Sequence, residues 1–201
     1  MVYLLYNLLL LISAIFLVPY YLLRGLRYGK SRRGIRERLG YYSPQQLSLL
    51  RSKKTVWIHA VSVGETRAAM PLIKQIRLKF PDLQILVSNV TETGHAIAME
   101  DKDIDLCLFF PFDFSWAVRK ALHMVHPELI IIVETEIWPN FTRQAHQLNI
   151  PLVLVNGRIS DRSFPPYRFV RFLLRPILDR FSAFCMPSQT DAERIMALGA
   201  P

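Results

Sequence analysis

Acidic residues that follow apolar segments are the side chains in this sequence best suited to chemistry. Glu65 follows the apolar segment Val56–Val61 and precedes an amphipathic segment, so it lies at a predicted strand-to-helix turn. Such a turn offers free backbone N–H groups to an anion, and Gly64 lets a substrate approach the main chain closely. A carboxylate here suits a general base aimed into a cleft, and it equally suits an acid that the helix dipole stabilises in the first turn. The local sequence leaves both interpretations open.

A second group of acidic residues follows another apolar run, Leu129–Val133. Glu134 comes directly after this run, and Glu136 stands two positions later on the far side of Thr135. Its place beside the apolar run predicts that Glu134 is close to the core, where an ionised carboxylate is costly without a partner. An acid in that position is harder to explain as a simple structural residue.

The elements that must position these acids alternate regularly along residues 55–201. Apolar, strand-like runs are followed by segments with helical periodicity. The predicted strands are Val56–Val61, Gln84–Val90, Leu106–Phe110, Leu129–Val133, Pro151–Asn156 and Ala183–Pro187. The predicted helices are Arg67–Phe80, Gly94–Met99, Trp116–Val125, Phe141–Leu148, Tyr167–Arg180 and Ala192–Leu198. This alternation predicts an α/β fold, a Rossmann-like parallel sheet with helices on both faces.

Polar motifs follow several of the predicted strands. Four of them are Thr-Glu-Thr-Gly at 91–94, Pro-Phe-Asp at 111–113, Glu-Thr-Glu-Ile-Trp-Pro-Asn at 134–140 and Asn-Gly-Arg-Ile-Ser at 156–160. The carboxyl ends of parallel strands lie at one edge of a sheet, where open α/β sheets bind ligands. We therefore expect these motifs to meet Glu65 in a single crevice. Ordinary helix caps are the alternative interpretation for Thr91, Thr93 and Ser160.

The N-terminal segment is almost unbroken apolar sequence. Val2–Leu23 is about as long as a helix that crosses a bilayer. Tyrosines, which are typical interfacial anchors, lie near both of its ends: Tyr3, Tyr6, Tyr20 and Tyr21. We predict a transmembrane anchor at residues 1–23, a basic juxtamembrane segment and linker at 24–54, and a Rossmann-like domain at 55–201. A buried amphipathic helix of a soluble domain is the alternative for the first segment.

The formal net charge of +9 is concentrated after the apolar run. Between residues 24 and 38, a single Glu37 accompanies seven basic residues: Arg24, Arg27, Lys30, Arg32, Arg33, Arg36 and Arg38. The order of apolar run and charge is unlike a signal peptide and places the rest of the chain on the cytoplasmic side. Beside a membrane, the cluster indicates contact with anionic lipid. Nucleic acid is disfavoured as a partner because no recognised nucleic-acid motif is present.

The two cysteines, Cys107 and Cys185, lie in apolar, strand-like runs. Buried free thiols in a reducing compartment are the expected state of both. No pair of Cys or His residues has zinc-finger spacing, so a structural metal is not expected.

Several of these motifs together resemble the N-terminal half of the 3-deoxy-D-manno-octulosonic acid (Kdo) transferases of lipopolysaccharide assembly. The matching stretches are Trp-Ile-His-Ala-Val-Ser-Val-Gly-Glu at 57–65, the motifs at 91–94, 134–140 and 156–160, and Arg-Glu-Arg-Leu-Gly at 36–40. They occur in the family's order and cover nearly the whole chain. The resemblance implies one half of a GT-B glycosyltransferase, in which two Rossmann-like domains face each other across a cleft.

The resemblance also implies an activity. Members of this family transfer Kdo from CMP-Kdo to a lipid A precursor, with inversion and without a cofactor or essential metal, at the cytoplasmic face of the bacterial inner membrane. Glu65 matches the family's proton acceptor, and Glu134 matches the acid that stabilises the transition state. The residues expected to bind the acceptor are Ser62, Gly64, Arg67, Thr91, Thr93, Glu136, Asn156, Arg158 and Arg162.

The sequence stops at Pro201, where a member of this family would continue into a second domain. That domain would carry the nucleotide-binding residues, so CMP-Kdo is expected to bind mainly outside these residues. For the same reason, we expect catalysis to require that second domain as well as this chain. A membrane-tethered module that binds anionic glycolipid without catalysis is the alternative function.

Overall fold

A computed structural model describes residues 2–28, 34–50 and 54–201 of the chain, with side chains described for 3–16, 34–49 and 54–201. The predicted lipid-binding residues Lys30, Arg32 and Arg33 lie outside the described residues, as do the side chains of Arg24, Arg27, Tyr20 and Tyr21.

The strands in the described residues are β1 Thr55–His59, β2 Gln84–Asn89, β3 Leu106–Phe109, β4 Leu129–Val133, β5 Leu152–Val155 and β6 Ala183–Cys185. The helices are α1 Val2–Tyr28, α2 Ile35–Arg38, α3 Pro44–Leu50, α4 Val63–Lys79, α5 Glu92–Met99, α6 Ser115–Val125, α7 Pro139–Gln147, α8 Phe164–Phe169, α9 Arg171–Leu178 and α10 Gln189–Ala197.

The strands form one parallel sheet in the order β3-β2-β1-β4-β5-β6. The central strand β1 places Trp57 opposite Leu86 of β2 on one side and opposite Ile130 of β4 on the other. The chain winds outward from β1 to β3, then returns to the centre at β4 and winds outward in the other direction. The carboxyl ends of β1 and β4 therefore flank the topological switch point, the usual ligand-binding position of such sheets.

Helices cover both faces of the sheet, as the alternating pattern predicted. On one face, the fully buried Trp57 packs with Phe141 of α7 and Leu122 of α6. On the other face, Ile58 packs with Ile73 of α4. Because neighbouring residues of a strand point to opposite faces, the near-continuous apolar runs supply both cores at once. The predicted α/β class and parallel sheet are confirmed.

The six predicted helices all begin one to four residues too late, and one of them is two helices. Helix α4 begins at Val63, four residues before the predicted start, because Ser62 takes the extended conformation of an N-cap. The segment predicted as one helix from Tyr167 to Arg180 is two helices, with a break at Val170, where φ is −97° and ψ is 16°. The apolar spacing continues across this break, so periodicity cannot reveal it.

The free cysteines differ in their surroundings. Cys107 is half-buried, whereas Cys185 is exposed on β6. The prediction that both thiols are buried is therefore wrong for Cys185. An edge strand such as β6 pairs on one side and is covered less completely than the central strands, which its apolar sequence does not show.

The motif at 36–40 makes contacts within the protein. The Glu37 carboxylate accepts a hydrogen bond from the Phe109 N–H at 2.8 Å, and Arg38 donates to the Val90 carbonyl at 2.6 Å. The Arg38 guanidinium also lies 4.5 Å from the centre of the Phe109 ring. These two residues of the predicted basic segment therefore hold the β3 edge of the sheet.

Helix α1 is the element that was predicted to span a membrane. Within the side chains that the structure describes, no helix combines the length and the apolar character that crossing a membrane requires.

Candidate functional site

The turn after β1 holds Glu65 in a fixed orientation. Its carboxylate accepts hydrogen bonds from the Val61 N–H at 2.6 Å and from the Ser62 hydroxyl at 2.9 Å. The Thr66 hydroxyl donates to the Ser62 carbonyl at 2.7 Å, which closes the first turn of α4. Glu65 is buried, and the sequence prediction that the turn joins strand and helix at this point is confirmed.

The surroundings of Glu65 make its carboxylate more basic. Burial raises the pKa of Glu65, and the negative charge of Glu134 raises it further, while the hydrogen bonds from Val61 and Ser62 act in the opposite direction. A carboxylate with a raised pKa is a better proton acceptor near neutral pH.

Glu134 follows β4 in an unusual backbone conformation. Its φ of 63° is in the left-handed region, which costs a non-glycine residue free energy. Its N–H still donates to the Val155 carbonyl at 2.8 Å, so the turn begins only after the last ladder bond. Asn156, at the equivalent position after β5, has a φ of 56°. Glu134 and Asn156, both predicted site residues, are thus positioned by the same change of backbone direction at the end of a strand.

The loops after β4 and β5 are tied together by one side chain. The Thr135 hydroxyl donates to the Arg158 carbonyl at 2.6 Å and accepts from the Arg158 N–H at 2.9 Å. The half-buried Glu136 lies beyond Thr135, and its pKa is raised by burial and then by the charges of Glu65 and Glu134. The predicted acids therefore meet closely enough to influence one another.

The motif at 91–94 has a structural role in the first turn of α5. The Thr91 hydroxyl accepts a hydrogen bond from the Gly94 N–H at 3.1 Å, so Thr91 is an N-cap. A Cβ on Gly94 would lie 3.1 Å from the carbonyl carbon of Ser62. The capping interpretation is confirmed for Thr91, and Thr93 is exposed beside it.

Three arginines were predicted to bind the acceptor. The side chains of Arg67, Arg158 and Arg162 are exposed, and none makes a hydrogen bond or ion pair with another described side chain. Helix α10 supports the loop that carries Arg158, because the Asp191 carboxylate accepts from the Ile159 N–H at 2.9 Å. Free guanidinium groups, one on α4 and two in the segment after β5, suit the binding of phosphate.

Sequence reasoning missed His59 at the end of β1. It is fully buried, its ring stacks on Phe110 at 3.7 Å between centroids, and its Nδ1 lies 3.0 Å from the Ser88 hydroxyl. Burial lowers the pKa of His59 to about 3, so the ring is neutral at physiological pH. The signal that could have identified it is a titratable residue inside an otherwise apolar strand.

Asp113 was noted only as part of a polar motif, yet it organises the start of α7. Its buried carboxylate accepts hydrogen bonds from the N–H groups of Asn140 at 3.0 Å and Phe141 at 2.8 Å. Burial raises the pKa of Asp113 to about 6, although these bonds lower it. Asp113 therefore caps the helix that directly follows the loop of Glu134 and Glu136.

Within the described parts of the chain, no group of three or more His, Cys, Asp or Glu side chains is arranged to hold a metal ion. The chemistry that the arrangement offers is proton transfer and charge stabilisation by carboxylates.

Residues 33–201 match the sequence model of a known protein family. The family is described as 3-deoxy-D-manno-octulosonic-acid transferase (kdotransferase). The chain belongs to this family. A 3-deoxy-D-manno-octulosonic acid transferase of Haemophilus influenzae is 30% identical over 197 residues, which are 98% of this chain and 45% of that protein.

Two further similarities were found. A bifunctional glycosyltransferase/methyltransferase of Fusobacterium nucleatum is 37% identical over 159 residues, 78% of this chain and 25% of that protein. The crystal structure of a putative UDP-N-acetylglucosamine 2-epimerase from Listeria monocytogenes matches 80% of this chain and 43% of its own, with 15% identity and a TM-score of 0.39. The chain thus spans less than half the length of the two curated relatives.

Proposed function

We propose that this chain is the acceptor-side domain of a GT-B glycosyltransferase that transfers Kdo from CMP-Kdo to a lipid A precursor with inversion. The observation that carries the proposal is the meeting of Glu65 and Glu134 at the topological switch point, with Glu65 buried, oriented and made more basic. Membership of the Kdo transferase family supports the same chemistry.

In the proposed reaction, a hydroxyl of the acceptor attacks the anomeric carbon of Kdo. Glu65 accepts the hydroxyl proton as the new C–O bond forms, and the bond to the phosphate breaks so that CMP leaves with its electron pair. The sugar acquires oxocarbenium character in the transition state, and the negative charge of Glu134 stabilises it. A second domain beyond these residues supplies most of the contacts to the nucleotide.

The proposed acceptor is a phosphorylated glycolipid, so its binding requires cations and contact with a membrane. Arg67, Arg158 and Arg162 are the proposed partners of its phosphates because their guanidinium groups are exposed. Ser62, Gly64, Thr91, Thr93, Glu136 and Asn156 complete the proposed acceptor site. Exposed apolar residues of α1, among them Leu4 and Phe16, support attachment at the cytoplasmic face of a bacterial inner membrane through residues 1–23.

A chimera tests the proposed function. This chain replaces the matching segment of the Haemophilus influenzae relative, and the purified chimera is incubated with CMP-Kdo and a lipid A precursor. We expect release of CMP and a gain in lipid mass equal to one or more Kdo residues. A folded chimera that binds both substrates without transfer would contradict the proposal and favour a non-catalytic module that binds anionic glycolipid.

A further inference from the structure

One face of helix α1 lies against the domain. The half-buried residues between positions 3 and 16 are Tyr3, Tyr6, Asn7, Leu10 and Ala14. Their spacing of three or four residues places them on a single helical stripe, which we call the docking stripe. The other residues between positions 3 and 16 are exposed and mostly apolar, with Leu4 78% exposed and Phe16 72% exposed. The face of the helix that lies against the protein therefore carries its described polar side chains Tyr3, Tyr6 and Asn7 together with Leu10 and Ala14.

The polar residues of the docking stripe join the network around Asp113. The Tyr6 hydroxyl donates to Asp113 Oδ2 at 2.8 Å, the same oxygen that accepts from the Asn140 N–H. The side-chain amides of Asn7 and Asn140 pair with each other, at 2.7 Å from Asn140 Nδ2 to Asn7 Oδ1 and 3.4 Å in the reverse direction. Asn140 Nδ2 also donates to the Asp113 carbonyl at 2.5 Å. The bonds from Tyr6 to Asp113 and between Asn7 and Asn140 link residues more than 100 positions apart in the sequence.

This network replaces a cap that α7 lacks. Trp138, at the N-cap position of α7, makes no side-chain capping bond, so the first N–H groups of the helix need another acceptor. Asp113 supplies it for Asn140 and Phe141. The loop of Glu134 is thus held at one end by its bond to Val155 and at the other by the capped first turn of α7.

We propose that Tyr6 and Asn7 are positioning residues of the candidate site: their hydrogen bonds to Asp113 and Asn140 fix the first turn of α7 and, through it, the loop that carries Glu134 and Glu136. The N-terminal helix is then part of the support of the site as well as a candidate membrane anchor. The effect of this network on catalysis rests on the proposed function. The positioning of the loop by Tyr6 and Asn7 can be tested without any substrate.

Hydrogen exchange tests the proposal in the chain reconstituted in lipid nanodiscs. Tyr6→Phe and Asn7→Leu each remove hydrogen bonds while keeping side-chain size. We expect exchange in a peptide covering residues 134–141 to rise about fivefold, since one lost hydrogen bond is worth about 1 kcal/mol. Exchange in peptides covering β1 and β2 is expected to stay unchanged.

Tyr3→Phe is the matched control. Tyr3 lies one turn earlier on the same stripe, and its buried hydroxyl has no hydrogen-bond partner among the described residues. We expect no change in exchange at residues 134–141 for this variant. Unchanged exchange in Tyr6→Phe, an equal rise in Tyr3→Phe, or a rise spread over the whole sheet would overturn the proposal.

The carboxyl resonance of Asp113 provides a second readout, which reports directly on the hydrogen bond from Tyr6. The hydrogen bond from Tyr6 lowers the pKa of Asp113, so Tyr6→Phe should raise that pKa and Tyr3→Phe should not. An Asp113 titration identical in the wild type and in Tyr6→Phe would show that the Tyr6 bond is not formed, and would overturn the proposal.

Discussion

At the scale of single residues, Glu65 combines the two roles that its sequence left open. Its carboxylate closes the first turn of α4 through Val61 and Ser62, as a first-turn acid would. An ionised carboxylate has about four acceptor positions, so these two bonds leave room for a substrate hydroxyl. The bonds fix the direction of the side chain, and burial makes it more basic. The hydrogen bonds by which Glu65 stabilises the start of α4 thus also orient its carboxylate for the proposed proton transfer.

Because Glu134 has a left-handed conformation, we predict that a glycine substitution there has opposite effects on stability and on activity. We expect Glu134→Gly to raise the free energy of unfolding by about 1 kcal/mol, because glycine adopts this conformation without strain, and to lower Kdo transfer. Denaturant unfolding and transfer by the chimera measure the two effects.

Asn149→Gly is the matched control for that experiment. Asn149 has a φ of 56° and is exposed at the end of α7, outside the candidate site. Its gain in stability should be smaller, because asparagine adopts this conformation more readily than glutamate, and it should keep full transfer. Full transfer by Glu134→Gly would show that the carboxylate has no role in the reaction.

His59 predicts a loss of stability in acid. Its pKa is lowered to about 3 in the folded chain from an ordinary 6.5, so between these values the unfolded state binds the additional proton. Stability should therefore fall as the pH is lowered from about 6.5 towards 3, by on the order of 4 kcal/mol from this residue. Denaturant unfolding at pH 7 and pH 4 should show a smaller difference for His59→Gln than for the wild type. The exposed His123→Gln should behave as the wild type, and an equal acid loss in His59→Gln would refute this assignment.

At the scale of elements, the strands were predictable and several helix features were not. Apolar runs such as Leu129–Val133 belong to strands buried on both faces, so composition located them nearly to the residue. The start of α7 depends on Asp113, which is distant in sequence, and no local pattern reveals a tertiary cap. Tyr6 was predicted to be an interfacial anchor, yet its hydroxyl contacts Asp113. The candidate acids were found because they interrupt apolar runs, whereas His59 was missed because it lies within one.

Alanine substitutions of the glycines at the starts of α4 and α5 should have different effects on stability. A Cβ on Gly64 would meet nothing closer than the Ser62 hydroxyl at 3.9 Å, whereas a Cβ on Gly94 would lie 2.9 Å from the Thr91 hydroxyl. We expect Gly94→Ala to lower the free energy of unfolding by about 1–3 kcal/mol through overpacking, and Gly64→Ala to leave it unchanged or slightly higher.

The open space at Gly64 is instead proposed to admit the acceptor. Gly64→Ala should therefore weaken binding of the lipid A precursor while the melting temperature is maintained, and calorimetric titration of the chain in nanodiscs measures this. Undiminished binding by Gly64→Ala would remove Gly64 from the proposed acceptor site.

At the scale of the whole molecule, the fold brings separate parts of the chain to one edge of the sheet. Winding outward in two directions from the centre places the ends of β1 and β4 side by side, so Glu65 and Glu134 meet although 68 residues lie between them. The Thr135 bonds add the loop after β5, and the docking stripe adds the N-terminal helix. The order of the strands in the sheet therefore determines which residues meet in the proposed site.

Transfer by the chimera carrying Glu65→Gln tests the central claim most directly. Glutamine keeps the size of the side chain but cannot accept the hydroxyl proton, so we expect transfer to fall by about 10²–10⁴-fold while precursor binding and thermal stability change little. The exposed Glu100→Gln should transfer Kdo at the rate of the parent chimera. Transfer by Glu65→Gln at that same rate would contradict the assignment of Glu65 as the proton acceptor.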